Sequence, residues 1–183
     1  MPITTLDSQS ALIVIDLQRG ILALDTCHPV APVVDNIAKL ISAFRRAHLP
    51  VVLVNVAGTP SGRNDQKAVT TKRPTDWSQL ADELDVKASD HLVTKNSWGA
   101  FTQTDLQQYL KLNGISQVVI VGIATSLGVE STARQAWELG YNVCLPTDAM
   151  TDLNIAAHHH CLQWIFPKIA ETGSTQALLS LLI

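Results

Sequence analysis

Two residues capable of acid–base chemistry stand directly after apolar runs: Asp16 after ALIVI and Lys95 after HLVT. A nearby lysine holds a carboxylate ionised, whereas burial drives it toward the protonated form. A carboxyl under both pressures can give or take a proton near neutral pH. A structural ion pair, or exposed charges at loop starts, would account for the same two residues. The third segment, GIATSLGVESTARQAWELG from Gly122 onward, reads as a strand end, a tight turn and a helix. Its 122–128 loop would aim unpaired amides at whatever lies beyond the strand, a place to hold an anion or a developing oxyanion. It has neither the Gly-Lys-Ser/Thr of a P-loop nor the dinucleotide GxGxxG pattern. A plain strand–helix turn is the alternative.

These residues need elements that bring them together. Five short apolar, β-branched runs at 11–15, 51–54, 91–94, 118–121 and 142–145 read as strands, with a weaker sixth at 168–170. They are continuous rather than alternating, as expected of strands buried on both faces. Helical periodicity fills the gaps at 33–48, 104–112, 130–139 and 155–166, with Pro50, Gly114 and Gly140 as stops. Strand–helix alternation predicts an α/β fold built on a parallel sheet with helices on both faces. In such sheets ligands bind beyond the carboxyl ends of the strands, where Asp16, Lys95 and the 122–128 loop would converge. The region 57–74, rich in Gly, Pro, Thr and charge, is the one long loop. The whole chain, 1–183, reads as a single domain.

Composition narrows the classes. At 183 residues, the chain can bury roughly 70% of its unfolded surface. Charged residues make up 16%, against a usual ~25%, which excludes a disordered chain and points to surface hidden in an oligomer. A net charge of -3 offers no basic footprint for nucleic acid. No apolar run approaches the ~20 residues of a membrane span, and the start lacks the basic n-region of a signal peptide. The tail QALLSLLI reads as a docked terminal helix. Three cysteines, Cys27, Cys144 and Cys161, form neither a disulfide framework nor a CxxC pair, which fits a reducing cytoplasm.

Taken in register, ALIVIDLQRG, HLVTKNSWGAF and VVIVGIATSLGVESTAR followed by NVCLPTDA resemble the isochorismatase-like (cysteine hydrolase) family from about residue 10 to 172. The resemblance implies a Rossmann-like three-layer sandwich with a six-stranded parallel sheet, a homodimer or homotetramer, and an Asp–Lys–Cys triad. Asp16 and Lys95 match its first two members. The nucleophilic Cys of T-x-x-C-V is replaced by Gly128 in Thr125-Ser126-Leu127-Gly128-Val129. Amide-cleaving members need the thiolate for an acyl intermediate, and losing a nucleophile costs on the order of 10⁶ in rate. Cys144 reads as a small buried hydrophobe, and Cys27 and Cys161 fall outside all three motifs.

The branch that dispenses with the thiol hydrolyses a vinyl ether. By that resemblance Asp16 is the general acid, Lys95 orients it or binds a substrate oxygen, and backbone amides near Ala124 and Gly128 bind oxygen anions. A cis peptide at Ile123–Ala124 is also implied. Gln18, Trp98, Phe101, Ile123, Ala124 and Thr125 are the expected substrate-binding residues, with ordinary core packing as the alternative for Phe101 and an exposed loop position for Gln18. Other readings of the same site are a thiol-independent hydrolase of another carbonyl or amide compound, and an inactive small-molecule or protein binder. No cofactor and no metal is expected. His158, His159 and His160 are adjacent, so on a helix they point apart; 56–76 contains no His, and His28 reads as a surface residue. Arg134 either reaches a substrate carboxylate or pairs with a neighbouring acid. Subunit contacts are expected through 178–183 and the helix carrying Trp137.

Overall fold

The five main apolar runs become strands of one sheet, with the 91–94 run at its edge. The computed structural model describes residues 1–64 and 73–182, so 65–72 of the long loop and Ile183 of the expected subunit contact lie outside the described residues. The strands are β1 (Ser10–Ile15), β2 (Val51–Val56), β3 (His91–Lys95), β4 (Gln117–Ile123), β5 (Asn142–Pro146), β6 (Met150–Thr151) and β7 (Glu171–Gly173). Six run in the order β3-β2-β1-β4-β5-β7, and β6 pairs with β4. Every pairing is parallel.

The continuous apolar runs are explained by two cores, one on each face. Ala11, Ile13 and Ile15 of β1 and Val118 and Ile120 of β4 pack on one face with Leu106, Leu110, Ala133 and Phe166. Leu12 and Val14, with Val119 and Val121, pack on the other with Ile37, Leu40, Phe44 and Leu178. Each fully buried Leu, Ile or Val side chain contributes about 1.5–3 kcal/mol, so a polar residue in the 11–15 run would lose packing on one face or the other.

The helices are α1 (Arg19–Leu22), α2 (Val30–Arg46), α3 (Leu106–Leu112), α4 (Glu130–Glu138), α5 (Ile155–His160), α6 (Phe166–Ile169) and α7 (Thr175–Leu179). In α2 the buried Val33, Ile37, Leu40, Ile41 and Phe44 recur at helical spacing, and Arg45 and Arg46 sit in the last turn, where the helix dipole favours positive charge. Helix α7 is the docked tail. Ser174 caps it by accepting from the Ala177 amide, and the Asp148 carboxylate accepts from the amide and hydroxyl of Thr175.

Several expectations are corrected. The sixth strand lies at Glu171–Gly173 rather than 168–170, because α6 occupies Lys168 and Ile169 and ends only with the Ala170 amide on the Phe166 carbonyl. The helix expected at 155–166 reaches Ile169 through a π-helical turn, Cys161–Ile165. That wide turn leads up to Pro167, which has no N–H to donate one turn back. The two-residue β6, too short to show a period, extends the sheet beside Gly122 and Ile123, where β5 has already left β4. Leu178, expected at a subunit contact, is fully buried within its own chain, whereas Trp137 is half exposed.

Candidate active site

Strands β1, β2, β3 and β4 all end at a cavity of about 170 Å³, lined by Asp16, Val56, Lys95, Ile123, Ala124 and Gly128 among others. The chain turns sharply as it leaves β1. Asp16 has φ 54, a left-handed conformation that Asp tolerates better than most residues, and its amide still donates to the Val54 carbonyl. Beside it Gly122 has φ 125, and a Cβ there would fall 2.1 Å from the Ile15 carbonyl oxygen. The glycine therefore lets β4 pass the end of β1 and carry the next residues to the Asp16 carboxyl. The Ile123–Ala124 peptide is cis, as the sequence resemblance implies.

Lys95 is the last residue of β3, two strands away from β1, and its side chain spans β2. Its ammonium donates to Asp16 Oδ2 at 2.7 Å and to the Ser97 carbonyl at 3.1 Å. Both side chains are buried, 1% exposed for Lys95 and 7% for Asp16. Asp16 Oδ1 is buried and has no hydrogen-bond partner among the described residues. Burial is the dominant influence and pushes the Asp16 carboxyl up to about 6; the charge of Lys95 and its hydrogen bond pull the other way. Near neutral pH such a group exchanges a proton readily.

Gly128 belongs to a π-helical turn, Thr125–Val129, that feeds directly into α4; it is not the tight open turn expected. A Cβ at Gly128 would meet Ile15 Cγ2 at 2.8 Å and Asp16 Oδ2 at 3.1 Å, so this backbone lies against the carboxyl itself. Three of the turn's amides are already occupied. Those of Leu127 and Val129 donate to the Ala124 carbonyl, and that of Ser126 donates to Asp152 Oδ2 at 2.6 Å. The turn thus has fewer free donors than its sequence suggests.

Other expected site residues are placed differently. Trp98 lines the cavity. Phe101 does not: it packs against the core beneath α3 and α4, facing Tyr141 with ring centroids 6.1 Å apart. Gln18 is fully buried, and its amide is committed to backbone, donating to the carbonyls of Val56 and Trp77 and accepting from the Val56 amide. It therefore braces two cavity walls from behind. Thr125 is also fully buried, with its hydroxyl 2.9 Å from His158 Nδ1. Arg134 pairs with Glu130, one helical turn away.

The cysteines lie outside this cavity lining. Burial, reinforced by the charge of Glu171, pushes the Cys144 thiol up to about 12. Burial likewise raises Cys161, whose thiol donates to Glu130 Oε2 at 2.8 Å. Cys27 is half-buried, with Sγ 3.3 Å from His28 Nδ1. His28 is no isolated surface residue: its ring stacks edge-on to that of His158 at 4.8 Å. Of the three adjacent histidines, His158 is buried and the next two are exposed. Among the described residues no group of three or more His, Cys, Asp or Glu is arranged to hold a metal ion.

Sequence reasoning missed several residues. Arg73, Trp77, Leu24 and Leu153 line the cavity, and Asp152 and His158 fix the π-helical turn from behind. One signal was available: Gly20 in DLQRG. A Cβ there would lie 2.0 Å from Trp77 Cδ1, so the indole needs that glycine. A larger, more open hollow of about 410 Å³ beside Trp137, Tyr141 and Lys168 lies at the opposite ends of the strands, away from Asp16 and Lys95.

Comparison with known proteins agrees with this geometry. The isochorismatase domain model matches residues 10–177. The isochorismatase family protein YwoC of Bacillus subtilis is 38% identical over 178 residues, covering 93% of each chain. Nicotinamidase 3 of Arabidopsis thaliana is 31% identical, covering 84% of this chain and 78% of its own. An isochorismatase family protein from Burkholderia thailandensis superposes with a TM-score of 0.87 at 39% identity, covering 97% of both chains.

Proposed function

The chain belongs to the isochorismatase family of hydrolases, and we propose that it hydrolyses a small metabolite without a thiol nucleophile, with Asp16 as the proton-transfer group. The observation that carries this reading is the asymmetry of the Asp16 carboxyl. Oδ2 is held by Lys95, while Oδ1 is buried, unpartnered and part of a residue lining the cavity. The position expected to hold a nucleophile is Gly128.

Such a site suits hydrolysis of a vinyl ether. The proton of Asp16 passes to the terminal enol carbon, and water adds to the oxocarbenium carbon that results. The hemiketal then collapses to a ketone and an alcohol, and Asp16 recovers its proton from the water. No acyl intermediate forms, so no thiol is needed. Lys95 holds the carboxyl in place, and the amides of Ala124 and Gly128 are proposed as donors to substrate oxygen. This scheme requires neither metal nor cofactor. We also propose a cytoplasmic homodimer or homotetramer, with Trp137 at a subunit contact; a monomeric mass by light scattering overturns the assembly. Among the described residues no helix is long and apolar enough to cross a membrane.

The test is a turnover panel with wild type and Asp16→Asn. Isochorismate and simpler enol ethers are assayed for pyruvate release, and nicotinamide and carbamoyl amides for ammonia. Pyruvate release abolished by Asp16→Asn is expected. Ammonia release that depends on Asp16 would instead mean that Asp16 activates water against an amide carbonyl, the reading favoured by the similarity to Nicotinamidase 3. Saturable binding without any turnover would mark an inactive binder.

A further inference from the structure

Taking this cavity as the substrate site, we propose that Arg73 is its specificity-determining residue and that it selects small organic carboxylates with an apolar body. The cavity wall is largely hydrocarbon, from Ile21, Leu24, Leu127 and Leu153. Its charged groups are Asp16, Lys95 and Arg73. Lys95 is committed to Asp16 Oδ2 and the Ser97 carbonyl. Arg73 has no carboxylate partner among the described residues. One N–H donates to the Ala57 carbonyl at 3.1 Å, and the guanidinium carbon lies 4.0 Å from the centroid of the Trp77 ring.

That stacking makes the guanidinium a prepared anchor. Trp77 is itself fixed: its carbonyl accepts from the Gly20 amide and from Gln18 Nε2, and its indole lies in space that a side chain at residue 20 would fill. Arg73 is therefore oriented by a platform tied to the residues just after β1. A guanidinium presents five N–H donors in a rigid fork that matches a carboxylate at two points. With one donor on Ala57, the others have no hydrogen-bond partner among the described residues and can meet a ligand. A neutral ligand of the same shape would leave a half-buried cation desolvated without compensation, so an acid should bind better than its own amide. Arg19, next to Gly20 in the chain, is already held by Asp76 and Asp82 and offers no such anchor.

The experiment measures binding, independent of turnover. Benzoate, cyclohexanecarboxylate and pyruvate are each titrated against the corresponding carboxamide by NMR, on wild type, Arg73→Gln, Arg73→Lys and Asp16→Asn, with melting temperatures confirming the fold of each variant. In wild type at least one acid should bind about 10- to 100-fold tighter than its amide. Arg73→Gln should abolish that preference with amide binding unchanged, and Arg73→Lys should retain part of it. Asp16→Asn should keep the preference, which separates this inference from the catalytic reading: Asp16 can prove dispensable for turnover while Arg73 still selects acids. Absence of any acid preference in wild type, or its survival in Arg73→Gln, overturns the proposal.

Discussion

Two buried carboxylates with basic partners stand at opposite ends of the same parallel sheet, and the structure treats them differently. Asp90, just before β3 begins, is completely satisfied. Its Oδ1 accepts from Arg45 Nε, and its Oδ2 accepts from Arg45 Nη2 and the Lys87 amide. Asp16, just after β1 ends, is comparably buried but half satisfied, with Oδ2 on Lys95 and Oδ1 on nothing. A carboxylate with both oxygens bonded has no lone pair to offer a ligand, and its task is to join elements. A carboxyl with one oxygen buried and left without a hydrogen bond is poorly stabilised as an anion and keeps an unfilled hydrogen-bonding position. Burial and an ion pair are common to both carboxylates; the unfilled hydrogen-bonding position is what sets the proposed acid apart.

The comparison can be broken most sharply at Asp16 itself. Asp16→Asn is expected to lower kcat at least ~10³-fold on any substrate the wild type turns over, the scale of lost general acid catalysis with its orienting partner. Retention of the wild-type rate would remove Asp16 from the chemistry. Lys95→Met should lower kcat by about 10²-fold and shift the pH profile upward, because the charge and hydrogen bond that hold the Asp16 carboxyl down are gone. A pH–rate series on both proteins checks the sign. In wild type the acid form is populated below about 6, so kcat/KM should fall about tenfold per pH unit above that value. A rate that instead rises through that pH would make Asp16 a base.

Smaller effects sharpen the contrast. Gly128→Ala places a methyl 2.8 Å from Ile15 Cγ2 and 3.1 Å from Asp16 Oδ2, so the carboxyl must shift, and a loss in kcat of about tenfold is expected with little change in melting temperature. Asp90→Asn should leave kcat within about twofold. It should lower stability by about 2 kcal/mol, since it breaks a pair whose arginine retains some solvent. Denaturant unfolding beside steady-state kinetics measures both. A catalytic defect in Asp90→Asn without lost stability would mean the two carboxylates are not so different.

Much of this was legible beforehand, for identifiable reasons. β1 and β4 announced themselves as continuous apolar runs because both faces are covered, and Asp16 and Lys95 because each ends such a run. Phe101 was ambiguous because an aromatic side chain is equally at home in a pocket wall and a core; the structure puts it with Tyr141. Gln18 was misjudged because a polar residue after a strand resembles a ligand-binding group, whereas its amide closes the backbone of β2 onto the Trp77 segment. Arg73 carried no signal, since it lies in a polar loop with no period and acquires its role only from Trp77 beneath it.

The sequence by itself determined the alternation of strands and helices, and the acid and the lysine that follow two of the apolar runs. These follow from local periodicity and residue type, which a single stretch of chain carries. Only the tertiary structure decided which Asp16 oxygen is left without a hydrogen bond, which turn amides are already engaged, and which cation at the cavity has no carboxylate partner among the described residues. Those are differences between hydrogen bonds made and not made, the deciding ones (Lys95 on Asp16, Ser126 on Asp152) between residues tens of positions apart, and no local pattern records them.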